Sequence, residues 1–259
     1  MPIIVDNKHP SSPSVFRPAA LLREARRQKA LPSVDVPVVC ILDPDGDIVR
    51  RLRRDDRAKP LDSWPCYHTQ LDAFELAGRT VGMVGCAVGA PFAVLIAEEL
   101  FASGCRLLVS LTSAGQIVPA GPTPYFVIID RALRDEGTSY HYAAPSEYGD
   151  ADPALVRMAA DALKGSGVPA IVGPSWTTDA PFRETGEAIA AAKRRGILAV
   201  EMEAAALYTF AAAKGRRVLC LAHVTNTMGQ THQDFEKGEA DGTADALRVL
   251  EAIVKASGA

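Results

Sequence analysis

The apolar positions of the chain fall into two rhythms. Short, nearly continuous apolar runs at 36–42, 80–86, 107–111, 125–130, 168–172 and 218–224 have the length of buried strands, and 64–76 alternates loosely, as a half-buried strand does. Helical spacing marks 18–29, 48–54, 153–164, 187–195, 204–213 and 244–255, while 85–100 reads as strand end, glycine turn and helix. Pro18 opens the first helix, and Leu21, Leu22 and Ala25 share one of its faces. Asp43-Pro-Asp-Gly-Asp47 and Thr112-Ser-Ala-Gly115 are turn signals that close strands. Strands alternating with helices across short turns predict an α/β fold, a largely parallel sheet in one domain over 19–259. The proline- and serine-rich residues 1–18 read as an arm able to reach a partner subunit.

Composition narrows the classes. With 48% hydrophobic residues the 259-residue chain can bury a large core, and a net charge of −3 gives no basic field for nucleic acid. The cluster Arg50-Arg51-Leu-Arg-Arg54, followed by Asp55 and Asp56, reads as a solvated helix face. Five scattered cysteines, an odd number in mostly apolar runs, are expected to be reduced core residues, and the histidines lack metal-ligand spacing. His223 is expected to be a satisfied core histidine. No apolar run reaches the ~20 residues of a membrane span. No metal and no membrane partner are expected, and the expected location is the cytoplasm.

Ligands of such folds gather at the carboxyl ends of the strands. The polar residues there are 43–47, 112–115, 177–183, the Glu201 region and 225–227, together with the glycine turn at 87–91. Two glutamates, Glu201 and Glu203, begin an alanine-rich helix, where an anionic side chain suits the dipole. Two helical positions differ by about 200°, so one carboxyl can face a site while the other serves structure.

The run Glu201-Met202-Glu203-Ala-Ala-Ala resembles the ribose-binding segment of the nucleoside phosphorylase family, the group of uridine phosphorylase and the hexameric purine nucleoside phosphorylases. The resemblance extends over about residues 36–255 and implies a twisted, mixed, largely parallel sheet flanked by helices. It places Glu203 on the ribose hydroxyls as an ionised acceptor, with Met202, Glu201 and His141 around the sugar. Gly85–Pro91 is similar to the family's glycine loop near phosphate, which puts Gly89 there. Thr112 matches a phosphate-binding threonine, but the arginine three residues before it is Val109, and the arginine of the first phosphate loop falls at Gly46. Asp45 and Asp47 stand at that phosphate or water site instead. Thr178, Phe182, Arg183 and Asn226 are placed against the base.

Asn226 occupies the position from which relatives acting on adenine nucleosides supply a proton. An amide has none to give, so a pyrimidine or 6-oxopurine is favoured. The expected activity is cleavage of a nucleoside N-glycosidic bond, with Glu203 and Asn226 as the catalytic pair. Phosphorolysis with inorganic phosphate as co-substrate is preferred, and hydrolysis or nucleoside binding without turnover are the alternatives. No organic cofactor is implied. A homo-oligomer, dimer to hexamer, is expected, with loop 134–142 at a subunit contact and 229–242 as a flap.

Overall fold

The computed structural model describes residues 3–227, Lys237 and residues 242–258. In chain order its elements are α1 (Pro18–Lys29), β1 (Val39–Asp43), α2 (Asp47–Arg54), β2 (Ala58–Pro60), β3 (Asp72–Leu76), β4 (Arg79–Gly85), α3 (Ala90–Ala102) and β5 (Leu107–Gln116). Then follow β6 (Tyr125–Asp135), β7 (Tyr148–Asp150), α4 (Pro153–Leu163), β8 (Ala170–Thr178), α5 (Gly186–Arg194), β9 (Ala199–Glu201), α6 (Ala204–Lys214), β10 (Arg217–Asn226) and α7 (Thr243–Ala256).

All ten strands join one mixed sheet organised around β5, which runs parallel to β1 on one side and to β10 on the other. Beyond β1 the sheet continues through β4, β3 and β2. Beyond β10 it continues through β6, β8 and β9, and β9 pairs back onto the end of β5 at Gly115 and Gln116. Five strands thereby close into a ring, and β1 extends from it as an open wing.

Alternation along the strands divides the core. Leu107, Val109 and Leu111 of β5 pack with Ile48, Leu155 and Leu250 of α2, α4 and α7. Leu108 and Ala114 face the other way, toward Ala93 of α3 and Leu207 of α6. Helix α6 is buried from Ala204 to Ala211, and its small side chains let backbone come close. A Cβ on Gly149 of β7 would meet the Ala205 carbonyl oxygen at 2.8 Å. Within this dry layer the Tyr208 hydroxyl donates to Ile129 O at 2.6 Å and accepts from Cys220 N at 2.9 Å.

Several sequence expectations are corrected. Residues 64–71 are not strand; only Asp72–Leu76 pairs, and Trp64 instead donates its Nε1–H to Thr69 Oγ1 at 3.1 Å. The turn expected at 112–115 is a continuation of β5, because β10 and β9 both bond to it there. Glu201 ends a strand and is not helical. On α2, Arg53 is not simply solvated, since it holds the buried Asp72 carboxylate at 2.6 and 2.9 Å. All five cysteines are free and four are buried, but Cys86 is exposed. The arm forms a 3-10 turn at Ile3–Val5 and leaves Phe16 69% exposed.

Candidate active site

The junction of β9 and α6 separates the two glutamates by function. Glu201 Oε1 accepts from Ser175 Oγ at 2.9 Å and from Thr177 Oγ1, while Oε2 accepts from the backbone N–H groups of Glu203 and Ala204, both at 2.7 Å. Thr177 Oγ1 also accepts from Ala205 N at 2.9 Å. The first donors of α6, which a helix leaves unpaired, are thus satisfied from strands β8 and β9. All four of these donors go to the Glu201 carboxyl, which ties β8 and β9 to the start of α6. The two carboxyls diverge because a strand-to-helix junction lies between them, not because of helical rotation.

Glu203 is the other member. It is 1% exposed, and its Oε1 accepts from Gly89 N at 2.7 Å. Gly89 adopts φ +92°, a conformation open to glycine, and this turn aims its N–H across the sheet from the start of α3. Burial, and next the charge of Glu201, push the Glu203 carboxyl up to about 8, against the Gly89 and Met202 N–H groups that favour its anion. Burial thus favours the protonated form of this side chain over the ionised one. A carboxylic acid donates from one oxygen and accepts on the other, a pattern that a vicinal diol matches. Met202 lies half-buried beside it, and Thr112 is buried on the same side of β5.

Across β5 lies an acidic cluster. Asp45 Oδ2 accepts from Ser113 N at 2.6 Å and Oδ1 from Ser113 Oγ at 2.9 Å. Asp43 is buried, with Oδ1 on Gly46 N at 3.2 Å and Oδ2 on Val49 N at 2.9 Å; burial, then the charges of Asp45 and Asp47, push it up to about 7. Asp47 pairs with Lys237 at 2.6 Å and Arg50 at 2.7 Å, which hold its carboxyl below the usual range although burial raises it. The Arg50 guanidinium lies over Gly46, where an added Cβ would collide with it and with Cys86 Sγ. His223 is 6% exposed and stacks on Phe126 at 4.3 Å, yet its Nε2 has no hydrogen-bond partner, contrary to the satisfied core histidine expected. Ser113 and His223 were not among the expected site residues. Their only signal was adjacency to Thr112 and to the Thr225-Asn226 strand end.

The expected base side is only partly assembled. Thr178 and Asn226 are buried at the ends of β8 and β10. Phe182 is 98% exposed and stacks on no ring among the described residues, and Arg183 is exposed beside it on a 3-10 turn. His141 is also exposed. It lines a groove of about 990 Å³ with Lys8, Tyr142 and Pro91, and burial followed by the Lys8 charge lowers its pKa. Loop 134–142 is tied to itself, with Arg134 Nε on Ser139 Oγ at 2.8 Å and Glu136 accepting from Thr138 N at 2.6 Å. The expected flap at 229–242 lies outside the described residues except for Lys237 and Gly242. Among the described residues no group of three His, Cys, Asp or Glu is placed to hold a metal ion, and no helix is long and apolar enough to cross a membrane.

Comparison with known proteins matches this arrangement to one family. The phosphorylase superfamily model covers residues 38–255. Two structures of uridine phosphorylase from Vibrio fischeri ES114 share the fold, each at a TM-score of 0.73 over 87% of this chain. One is complexed with 6-hydroxy-1-naphthoic acid, at 20% identity over 93% of that chain; the other is 21% identical over 95% of its chain. The family match spans the whole sheet and every buried residue of the candidate site, and the chain belongs to the phosphorylase superfamily as an enzyme of the nucleoside phosphorylase type.

Proposed function

We propose that the protein cleaves the N-glycosidic bond of a nucleoside and releases the base. The observation that carries this reading is the Glu203 carboxyl, buried at the carboxyl ends of the strands and bonded to the Gly89 N–H of the α3 turn. Unlike Glu201, Glu203 is bonded only to backbone N–H groups and keeps capacity for vicinal hydroxyls, and fixing the ribose lets the C1′–N bond lengthen toward an oxocarbenium-like sugar. Asn226 at the end of β10 supplies hydrogen bonds without a proton, which favours a pyrimidine or a 6-oxopurine. Uridine is the first substrate to test, in view of the similar structures. No organic cofactor is required, and residues 134–142 and the arm are proposed to meet a second subunit.

Membership of the superfamily supports inorganic phosphate as co-substrate, with Thr112 and nearby backbone N–H groups as its donors. A specific observation favours a second reading, hydrolysis: the Asp45 carboxylate already occupies the Ser113 N–H and hydroxyl donors. The test is base release from uridine, thymidine, inosine, guanosine and adenosine, each with and without phosphate, beside calorimetry on Glu203→Ala. Base release is expected from at least one nucleoside, and the variant is expected to lose nucleoside binding. Unchanged affinity in the variant would remove Glu203 from the site.

A further inference from the structure

The first N–H groups of a helix need only a neutral oxygen, and a serine or an asparagine supplies one without burying a charge. At the start of α6 a carboxyl does this work instead. Glu201 is 3% exposed, and a carboxylate taken that deep is costly unless donors surround it. Burial pushes its carboxyl up, while Thr177, the Ala204 and Glu203 N–H groups and Ser175 favour its anion. The cap alone does not call for this charge.

The same bonds reach the residue placed on the sugar. Glu203 N donates to Glu201 Oε2 at 2.7 Å, and Glu203 Oε1 accepts from Gly89 N at 2.7 Å. Glu203 is thus pinned at its backbone by Glu201 and at its carboxyl by the α3 turn. Thr177 Oγ1 serves both sides of the junction, donating to Glu201 Oε1 and accepting from Ala205 N at 2.9 Å. Besides burial, Glu203 feels the negative charges of Glu201 and of Asp45 in the β1–α2 turn. Cys220 on β10 and Tyr208 on α6 also face this pair, and burial pushes both well above their ordinary range, so they stay neutral.

We infer that Glu201 is a positioning residue that acts on the nucleoside through Glu203. Its bonds, with those of Thr177, hold the Glu203 backbone, and its charge governs the form in which the Glu203 carboxyl meets the sugar hydroxyls. The inference rests on the reading of Glu203 as the ribose-binding residue. Its two halves are separable. Glu201→Gln keeps the shape and the acceptor for the α6 N–H groups but removes a negative neighbour, so Glu203 ionises at lower pH. Thr177→Val changes no charge and leaves the Ala205 N–H unpaired, which loosens the start of α6.

The experiment is calorimetry of uridine and inosine from about pH 5 to 9 with the wild type, Glu201→Gln, Thr177→Val, Thr177→Ser and Glu203→Ala. Wild-type affinity is expected to change around one pH midpoint, and that midpoint is expected to lie lower in Glu201→Gln. Thr177→Val is expected to bind about tenfold more weakly, and Thr177→Ser, which restores the hydroxyl, to recover most of the loss. Should Glu201→Gln fail to fold, the two Thr177 variants carry the test. The same midpoint in a folded Glu201→Gln protein overturns the inference, as does wild-type affinity that ignores pH or a Thr177→Ser protein that recovers nothing. Loss of binding in Glu203→Ala beside any of these results leaves the ribose reading standing. Binding by Glu203→Ala as tight as by the wild type overturns that reading and this inference together.

Discussion

Glu201 and Glu203 are chemically the same residue, two positions apart, and what their oxygens touch sets them to different work. Four donors fill Glu201, while Glu203 accepts from two backbone N–H groups. Burial has a measurable consequence here. It raises the Glu203 carboxyl to about 8, whereas an ordinary carboxyl titrates near 4.5. Stability that is fully present below 4.5 is therefore lost progressively as pH rises toward 8, and levels beyond it. Asp43, raised from 3.8 to about 7, adds to the same decline. Urea midpoints measured from pH 5 to 8 are expected to fall, and to fall less in Glu203→Gln. An equal slope in the two proteins would mean that Glu203 ionises normally. At this scale the sequence was partly legible. The Glu-Met-Glu run identifies itself by its neighbours, but nothing local tells that Ser113 would face Asp45, because that contact joins residues 68 positions apart.

Among the elements, those with long apolar stripes were readable and those made by pairing alone were not. Helices α1, α4 and α7 carry their own stripe and stop signals, so their expected and observed bounds nearly agree. Strands β2, β7 and β9 have three residues each and no period to detect; they exist because a longer strand lies alongside. The stretch 112–115 has turn composition, yet bonds from two neighbouring strands hold it extended. Caps can be tested directly. Asp152 accepts from Ala154 N at 2.8 Å at the start of α4, and Asp152→Ala is expected to lower unfolding free energy by about 1 kcal/mol, measured by urea denaturation. No change would show that solvent satisfies that turn equally well.

For the whole molecule, the ring of five strands gathers the ends of β5, β8, β9 and β10 at one rim, and the β1–α2 and β4–α3 turns lean over it from the wing. A periodicity argument reaches the layers of such a fold but not its closure, which depends on two residue pairs between β5 and β9. The arm belongs to this scale as well. Phe16 lines the same groove as His141 and lies exposed. Light scattering is expected to give a multiple of the 27.5 kDa chain mass, and a monomer at working concentration would refute that expectation.

Cys86 adopts φ +63° at the turn between β4 and α3, with its sulfur 3.4 Å from Arg50 Nη1, three residues before the glycine that meets Glu203. Because the other four thiols are buried, a bulky alkylating label added to the folded protein has one address, and that address is the rim of the candidate site. The chain therefore carries a natural reporter. A fluorophore placed there would sense ligands as they arrive at the rim, with no engineered cysteine and no need for turnover.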